Sequence, residues 1–169
     1  PIIQKLAQQK GNGLIVLPTR ELALQVNEAL QQLGRPLNLR TTVLIGGENM
    51  SRQLHALRTN PHIIIATPGR LIDHLERRTV RLDTVTILVL DEADRMLDMG
   101  FAPQINRILE KVPKERQTLL FSATMPAAIS LMAAKYMRTP LRVEIARAGT
   151  ASDRVDQEFF MVGRNDKLR

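Results

Sequence analysis

The chain has 169 residues, of which 44% are hydrophobic and 24% charged, a composition typical of a globular protein with one substantial core. No apolar run reaches the length of a membrane span, no signal-peptide pattern opens the sequence, and no cysteine is present for disulfides or thiolate metal sites. We therefore expect a soluble, intracellular, cytoplasmic protein. Its net charge of +7 favours a polyanionic partner, and with 3% aromatic residues a nucleic acid would be contacted through its backbone.

The chain begins with alternating amphipathic and apolar segments. Apolar spacing within residues 1–9 predicts a helix, and residues 14–17 form a short apolar strand that runs into Pro18-Thr19-Arg20-Glu21-Leu22-Ala23. Thr19 is the expected N-cap of a helix that ends at Gly34. The predicted inward face of that helix comprises Leu22, Val26, Ala29, Leu30 and Leu33. The pattern is strand, tight turn and helix.

A second strand, residues 41–45, ends in Gly46-Gly47. Two glycines allow close approach of the backbone to a ligand or a positive φ, although a simple loop explains them equally well. Ser51 is the expected cap of a short helix with Leu54 and Leu57 turned inward, and Asn60-Pro61 ends it.

The next strand, residues 62–66, ends in Thr67-Pro68-Gly69-Arg70. Thr67 as N-cap, Pro68 at the first helical position and Gly69 beside it predict a helix start with amides open to an anion. Arg70 supplies a counter-charge, so a phosphate fits there. The structural alternative is an ordinary helix start.

The apolar run at residues 87–90 is typical of a buried strand in a parallel sheet, and it stops at Asp91-Glu92-Ala93-Asp94. Open α/β sheets place their chemistry beyond such strand ends. One carboxylate there can hold Mg2+ directly or through water, while a second orients or deprotonates an attacking water, as in a Walker B motif. The alternative is that Asp91 caps the next helix, with Glu92 and Asp94 as first-turn acids.

The remaining segments continue the alternation. Apolar spacing from Phe101 to Val112 predicts a helix, and the strand at residues 118–121 delivers Ser122-Ala123-Thr124, hydroxyls that capping alone would also explain. A helix follows, then a last short strand at residues 142–145. Strands that alternate with helices predict an α/β fold with a mainly parallel sheet.

Five motifs, in order, resemble those of the DEAD-box RNA helicases, in their first RecA-like domain. Residues 18–23 are similar to motif Ia, Gly46-Gly47 to the GG motif, 67–70 to motif Ib, 91–94 to motif II, and 122–124 to motif III. The resemblance runs from about Pro1 to Arg169. It implies a RecA-like three-layer sandwich in a partial N-terminal domain at residues 1–145, an interdomain linker at 146–156, and the truncated start of a second RecA-like domain at 157–169.

The resemblance also implies roles. Asp91 would hold Mg2+ through water, and Glu92 would act on the water that attacks the γ-phosphate of ATP, so these two form the catalytic pair. Asp91, Glu92, Asp94, Ser122 and Thr124 form the implied nucleotide-side set, in which Ser122 and Thr124 couple nucleotide state to RNA binding. The implied grip on the RNA sugar-phosphate backbone, independent of sequence, comprises Pro18, Thr19, Arg20, Gly46, Gly47, Thr67, Gly69 and Arg70.

One departure from the family pattern concerns the triphosphate. The sequence has no glutamine-containing adenine-recognition motif and no P-loop of the form G-x-x-x-x-G-K followed by Ser or Thr, and Pro1 to Leu6 resembles the segment directly after the P-loop. We expect the parent protein to unwind short RNA duplexes with ATP, and the fragment itself to be inactive as an ATPase. The alternatives are a non-catalytic single-stranded RNA-binding module and a truncated piece with exposed core.

The missing P-loop strand would lie beside the strand at residues 118–121, whose apolar edge would then be unpaired. We expect either the segment 157–162 or a neighbouring chain, through self-association, to cover that edge.

Overall fold

The computed structural model describes residues 2–8 and 10–144, and the predicted linker and second-domain segment lie outside them. Its strands are β1 (Asn12–Val16), β2 (Thr41–Leu44), β3 (Ile63–Ala66), β4 (Val85–Leu90) and β5 (Gln117–Leu120). Its helices are α1 (Ile2–Gln8), α2 (Arg20–Gly34), α3 (Met50–Arg58), α4 (Pro68–Glu76), α5 (Ala93–Asp98), α6 (Ala102–Lys111) and α7 (Ala127–Tyr136), with a short 3-10 helix at Arg35–Leu37. Among these helices, none is both long enough and apolar enough to cross a membrane.

The strands form one sheet in the order β2-β3-β1-β4-β5, and every neighbouring pair is parallel. The predicted α/β class with a mainly parallel sheet is therefore confirmed. Because all strands run the same way, their carboxyl ends meet at one edge of the sheet. The strand at residues 87–90 lies inside the sheet, as its sequence predicts, and it pairs with β1 on one side and β5 on the other.

Each face of the sheet carries its own apolar core. Alternate residues of β1 divide between them: Leu14 and Val16 pack with α4, α5, α6 and α7, whereas Ile15 packs with α1 and α2. A fully buried side chain such as Leu14 contributes about 1.5–3 kcal/mol relative to an exposed one. Helices on both faces of the sheet give the predicted three-layer sandwich.

Helix α2 begins as predicted, because the Thr19 side chain accepts a hydrogen bond from the Leu22 amide at 3.3 Å. Its predicted inward face is wrong in part, since Ala29 is exposed and Leu33 is 68% exposed. The residues that are buried are Ala23, Leu30 and Gly34. Two of these are small and let the helix lie close to the sheet, so packing rather than the apolar stripe fixes its rotation.

Two further predictions are corrected. The N-cap of α3 is Asn49 and not Ser51: the helix begins at Met50, so Ser51 lies in its first turn, where its amide donates to the Asn49 side chain at 2.8 Å. Residues 142–144 form no strand: they pair with none of the five strands in the described chain, and Val143 is 76% exposed, so the alternating apolar residue there is not buried. Ile145 lies outside the described residues.

Strand β5 forms one border of the sheet. It pairs with β4, and no strand among residues 2–8 and 10–144 lies on its other side. Phe121, just after the strand, is 52% exposed. The segment 157–162, expected to cover this edge, lies outside the described residues, so that expectation stays a prediction.

Candidate active site

The structure brings all the sequence-predicted site residues to one edge of the sheet. Each motif directly follows the carboxyl end of a strand, and the five strands are parallel. The residues are Pro18, Thr19 and Arg20 after β1; Gly46 and Gly47 after β2; Thr67, Gly69 and Arg70 after β3; Asp91, Glu92 and Asp94 after β4; and Ser122 and Thr124 after β5. The sheet order places the carboxylates and hydroxyls on β4 and β5, and the remaining motifs on the adjacent strands β1, β3 and β2.

Asp94 binds both hydroxyl residues of the loop after β5. Its Oδ2 accepts from the amide and from the hydroxyl of Thr124, each at 2.8 Å, and its own amide donates to Ser122 Oγ at 3.1 Å. Burial opposes ionisation of Asp94, but the hydrogen bonds, those from Thr124 foremost, outweigh it and lower the pKa of Asp94 to about 2. Asp94 is thus a carboxylate at neutral pH, and it ties the start of α5 to the loop after β5.

Asp91 and Glu92 lie where the chain leaves the interior strand β4. Asp91 is half-buried and its Oδ1 accepts from the Glu92 amide at 3.0 Å; burial raises the pKa of Asp91, and this hydrogen bond offsets the rise in part. Asp91 does not cap α5, because Glu92 precedes that helix and gives no side-chain cap. Glu92 has φ +50° and ψ +50°, a left-handed conformation that costs on the order of 1–3 kcal/mol and concentrates at functional sites.

Arg95 is a neighbour of Glu92 that the motif analysis missed. Its NH1 lies 2.9 Å from Glu92 Oε2, and both side chains are substantially exposed. The signal was present in the sequence, because an acid and a base three positions apart on a helix face each other. The pair places a cation beside the candidate catalytic carboxylate.

The backbone conformation favours glycine at position 47 but not at position 46. Gly47 has φ +74°, a conformation that favours glycine, and a Cβ there would displace the guanidinium of Arg20, which lies against this loop. A Cβ at Gly46 or at Gly69 would meet nothing within 4 Å in the described chain. The backbone at these two glycines is open to a ligand.

The structure places Arg70 against the loop after β2. NH1 of Arg70 donates to the Glu48 carbonyl at 3.0 Å and to Gln53 Oε1 at 3.3 Å, and Nε lies 3.5 Å from Asp73. The side chain is 13% exposed. The backbone of Thr67 holds the predicted cap position and Pro68 is the first residue of α4, but the Thr67 side chain makes no capping hydrogen bond. Arg70 is thus a partly buried cation held by main-chain and amide oxygens.

The two halves of the site adjoin through the backbone. The amide of Asp91 donates to the carbonyl of Val16 at 3.1 Å, which places the end of β4 beside the end of β1. Among the described residues, no side-chain hydrogen bond or ion pair joins Asp91, Glu92 or Asp94 to the motifs after β1, β2 and β3. Any coupling between them therefore passes through the loops and the sheet.

The carboxylates match one mode of magnesium binding. In the described part of the chain, no group of three or more His, Asp or Glu side chains converges as a metal site. Mg2+ keeps several waters and is usually bound through one or two carboxylates plus substrate phosphates rather than in an all-protein cage. Asp91, half-buried with Glu92 beside it, fits that mode.

Comparison with known proteins identifies close relatives. A family model for DEAD/DEAH box helicase matches residues 1–132. The DEAD-box ATP-dependent RNA helicase CshA of Bacillus licheniformis is 45% identical over 99% of this chain and 35% of its own length. The ATP-dependent RNA helicase CshA of Listeria monocytogenes is 46% identical over 99% of this chain and 33% of its own length. The chain spans about a third of the length of these curated relatives.

Solved structures agree in fold. A DEAD box protein from Methanococcus jannaschii, 42% identical, superposes with a TM-score of 0.73 over 78% of this chain and 36% of that one. A hypothetical ATP-dependent RNA helicase from Sulfolobus tokodaii, 33% identical, gives 0.75 over 81% of this chain and 41% of its own. The parallel sheet with helices on both faces is the RecA-like fold of these proteins, which confirms the predicted class. From its sequence and its fold, the chain belongs to the DEAD/DEAH box helicase family.

Proposed function

We propose that this chain is part of an ATP-dependent RNA helicase that couples ATP hydrolysis to the unwinding of short RNA duplexes. The observation that carries the proposal is the division of one sheet edge: carboxylates and hydroxyls follow β4 and β5, and open glycines and guanidinium groups follow the three adjacent strands. Relatives that carry the name of RNA helicase support it. Nucleotide and RNA would then occupy neighbouring parts of one rigid edge.

On the nucleotide side, Asp91 would hold Mg2+ through water and Glu92 would act on the attacking water. The metal, when bound, neutralises charge that develops on the transferred phosphoryl group. Because its pKa is about 2, Asp94 stays ionised near neutral pH. It therefore keeps its hydrogen bonds to Thr124 and Ser122 there. A shift of the loop after β5 on nucleotide binding is therefore transmitted to α5 and the carboxylates.

On the RNA side, the ligands are backbone phosphates and sugars. Gly46 and Gly69 leave room for close approach, and the open start of α4 offers amides to an anion. Arg20 and Arg70 supply positive charge next to them. The full set is Pro18, Thr19, Arg20, Gly46, Gly47, Thr67, Gly69 and Arg70. Contacts of this kind position the RNA but do not distinguish its sequence.

The proposal includes the partners that the chain needs for turnover. ATP and Mg2+ require phosphate-binding groups beyond these 169 residues, because no P-loop sequence is present in them. A second RecA-like domain, of which residues 157–169 are the start, completes the RNA site, and residues 146–156 link the two. We place the protein in the cytoplasm, whose reducing conditions suit a chain without cysteine.

The test separates catalysis from binding. The isolated chain should bind single-stranded RNA with a steep dependence on salt, because phosphate contacts release counterions. Arg70→Ala should weaken that binding, and the isolated chain should release no phosphate from ATP. RNA-stimulated ATPase of the isolated chain, abolished by Glu92→Gln, would contradict the expected inactivity.

A non-catalytic single-stranded RNA-binding module is the second candidate, and the missing P-loop sequence favours it. This candidate is distinguished in a longer natural form of the protein. If that form binds RNA but never hydrolyses ATP, the binding module is correct and the helicase proposal fails.

A further inference from the structure

Gln53 is a buried polar residue that the motifs do not include. It lies on α3 and is 3% exposed. Its Nε2 donates to the carbonyl of Ile45, the residue directly after β2, at 2.9 Å. Its Oε1 lies 3.3 Å from Arg70 NH1 and 2.9 Å from His74 Nε2, both on α4. One carboxamide thus links the strand before Gly46 to the helix that carries Arg70.

His74 fixes the orientation of that carboxamide. It is fully buried, with Nδ1 2.8 Å from the hydroxyl of Thr79. Because Gln53 Nε2 donates to a carbonyl, Oε1 is the side that faces the imidazole, and His74 must donate from Nε2. Nδ1 then faces the Thr79 hydroxyl as an acceptor, and the single proton of that hydroxyl is shared between Nδ1 and the His74 carbonyl, which lies 3.0 Å away. Burial, with the charge of Arg70 next, lowers the pKa of His74, which agrees with a neutral ring.

We propose that Gln53, held by His74, is a positioning residue for the RNA-binding guanidinium of Arg70. The inference rests on the proposed RNA-binding role of Arg70. NH1 of Arg70 has two acceptors in the described residues, the Glu48 carbonyl and Gln53 Oε1, so it joins the loop after β2 to the start of α4.

Without Gln53 Oε1, NH1 keeps one acceptor and the long side chain gains rotamers directed away from the loop. RNA binding then includes the entropic cost of ordering the Arg70 side chain. In the unmodified chain, the hydrogen-bond network has already ordered this side chain before RNA binds. Gln53 is too deeply buried to touch RNA itself. Its effect on RNA affinity therefore passes through Arg70 and the Gly46-Gly47 loop.

Two substitutions separate this role from a purely structural one. Gln53→Met removes donor and acceptor at nearly constant length. Gln53→Glu retains the acceptor for Arg70 and His74 but replaces the donor to the Ile45 carbonyl with a second acceptor. We expect Gln53→Met to weaken binding of a fluorescein-labelled single-stranded RNA by about five- to tenfold and Gln53→Glu by less than about twofold. A structural role predicts the opposite order, because a buried carboxylate destabilises a core more than a methionine does.

The experiment uses the 169-residue chain, with RNA affinity from fluorescence anisotropy and the melting temperature of each variant recorded alongside. Gln104→Met on α6 is the matched control, since it makes the same chemical change at a half-buried glutamine outside the network. Affinity of this variant should equal that of the unmodified chain. In an Arg70→Ala background, Gln53→Met should have no further effect on RNA affinity.

The outcomes are distinct. The inference is overturned if the loss of RNA affinity in Gln53→Met and Gln53→Glu follows the decrease in their melting temperatures. It is also overturned if Gln53→Met weakens RNA binding as much in the Arg70→Ala background as in the unmodified chain. If Arg70→Ala weakens binding and Gln53→Met does not, the inference alone fails and the proposed function stands. If Arg70→Ala itself leaves affinity unchanged, the RNA-binding role of Arg70 fails, and the inference fails with it.

Discussion

Asp94 and Thr124 are joined by two hydrogen bonds to one carboxylate oxygen, from the amide and from the hydroxyl of Thr124, each at 2.8 Å. The residues are 30 positions apart, and the contact connects the helix after β4 to the loop after β5. Since the amide of Asp94 also donates to Ser122 Oγ, the connection is reciprocal. Two motifs that follow neighbouring strands thus behave as one structural unit.

Replacing Thr124 with Val should loosen this unit and raise the pKa of Asp94. The hydrogen bond from the hydroxyl is lost while the hydrogen bond from the backbone amide of residue 124 remains. The ionised form of Asp94 is therefore less stabilised. In the unmodified chain the folded pKa of about 2 lies below the unfolded value of about 3.9, so Asp94 stabilises the fold above about pH 4 and this contribution disappears as pH falls towards 2. The free energy of unfolding, measured with urea, should differ less between pH 7 and pH 3 for Thr124→Val than for the unmodified chain. An unchanged difference would contradict the role of the hydroxyl.

Gly47→Ala should destabilise the chain more than Gly46→Ala. The first forces a side chain into a positive φ and into the guanidinium of Arg20, and we expect a loss of about 1–2 kcal/mol in the free energy of unfolding. The second meets open space, so we expect a change within about 0.5 kcal/mol. Chemical denaturation measures both.

Gly46 also permits a test of RNA approach. Gly46→Val should leave unfolding nearly unchanged while it weakens binding of single-stranded RNA, because its side chain would occupy the open space above the loop. If Gly46→Val binds RNA as the unmodified chain does, RNA does not approach that glycine.

Glu92→Gln should abolish ATP hydrolysis without weakening RNA binding. An amide cannot act as a base towards the attacking water, and such a loss typically costs roughly 10²–10⁴-fold in rate for general base catalysis. Phosphate release should be measured in any form of the protein that includes a P-loop, and RNA affinity in the 169-residue chain. Arg95→Gln is the control for stability, since the exposed pair of Arg95 with Glu92 should contribute less than about 0.5 kcal/mol. Equal ATPase rates for Glu92→Gln and the unmodified protein would refute the catalytic assignment.

The sequence predicts local features of this fold well because they depend on neighbouring residues. The apolar run before Asp91, the cap at Thr19 and the proline at the start of α4 are all short-range patterns, and the structure has them where predicted. Parallel strands then result from strand and helix alternation. That alone is enough to bring all five motifs to one edge.

Features that the sequence does not predict depend on contacts between distant residues. The position of β3 between β2 and β1 is a matter of strand pairing, and the rotation of α2 depends on how closely Ala23 approaches the sheet. Gln53 has no motif around it, and its importance is visible only when Arg70 and His74 are seen to share its oxygen. A polar residue at an inward helical position was the one available signal.

Stability of the chain should decrease as pH falls below about 6.5 because of His74. Burial, more than the charge of Arg70, lowers the folded pKa of His74 below its unfolded value of about 6.5, while Asp73 opposes the shift and Arg77 adds to it. The stabilisation is complete above the unfolded pKa and is lost as pH falls through the folded one. Burial, and then the charge of Arg40, also lower the pKa of His62. His74→Gln should therefore reduce the pH dependence of the free energy of unfolding without removing it. A slope unaffected by this substitution would show that His74 is accessible to protons in the fold.

The border strand β5 should make the isolated chain self-associate. No strand in the described ranges pairs with its outer edge, and Phe121 exposes half of its surface at the end of the strand. Unpaired edges with apolar side chains recruit further strands, and a charged residue there opposes such pairing. Sedimentation velocity should show association that increases with protein concentration and that Phe121→Lys reduces. Leu33→Lys, at an exposed apolar residue on α2 far from this edge, should leave association unchanged. A chain that stays monomeric at all concentrations would mean that the edge is covered from within, for example by residues 157–162.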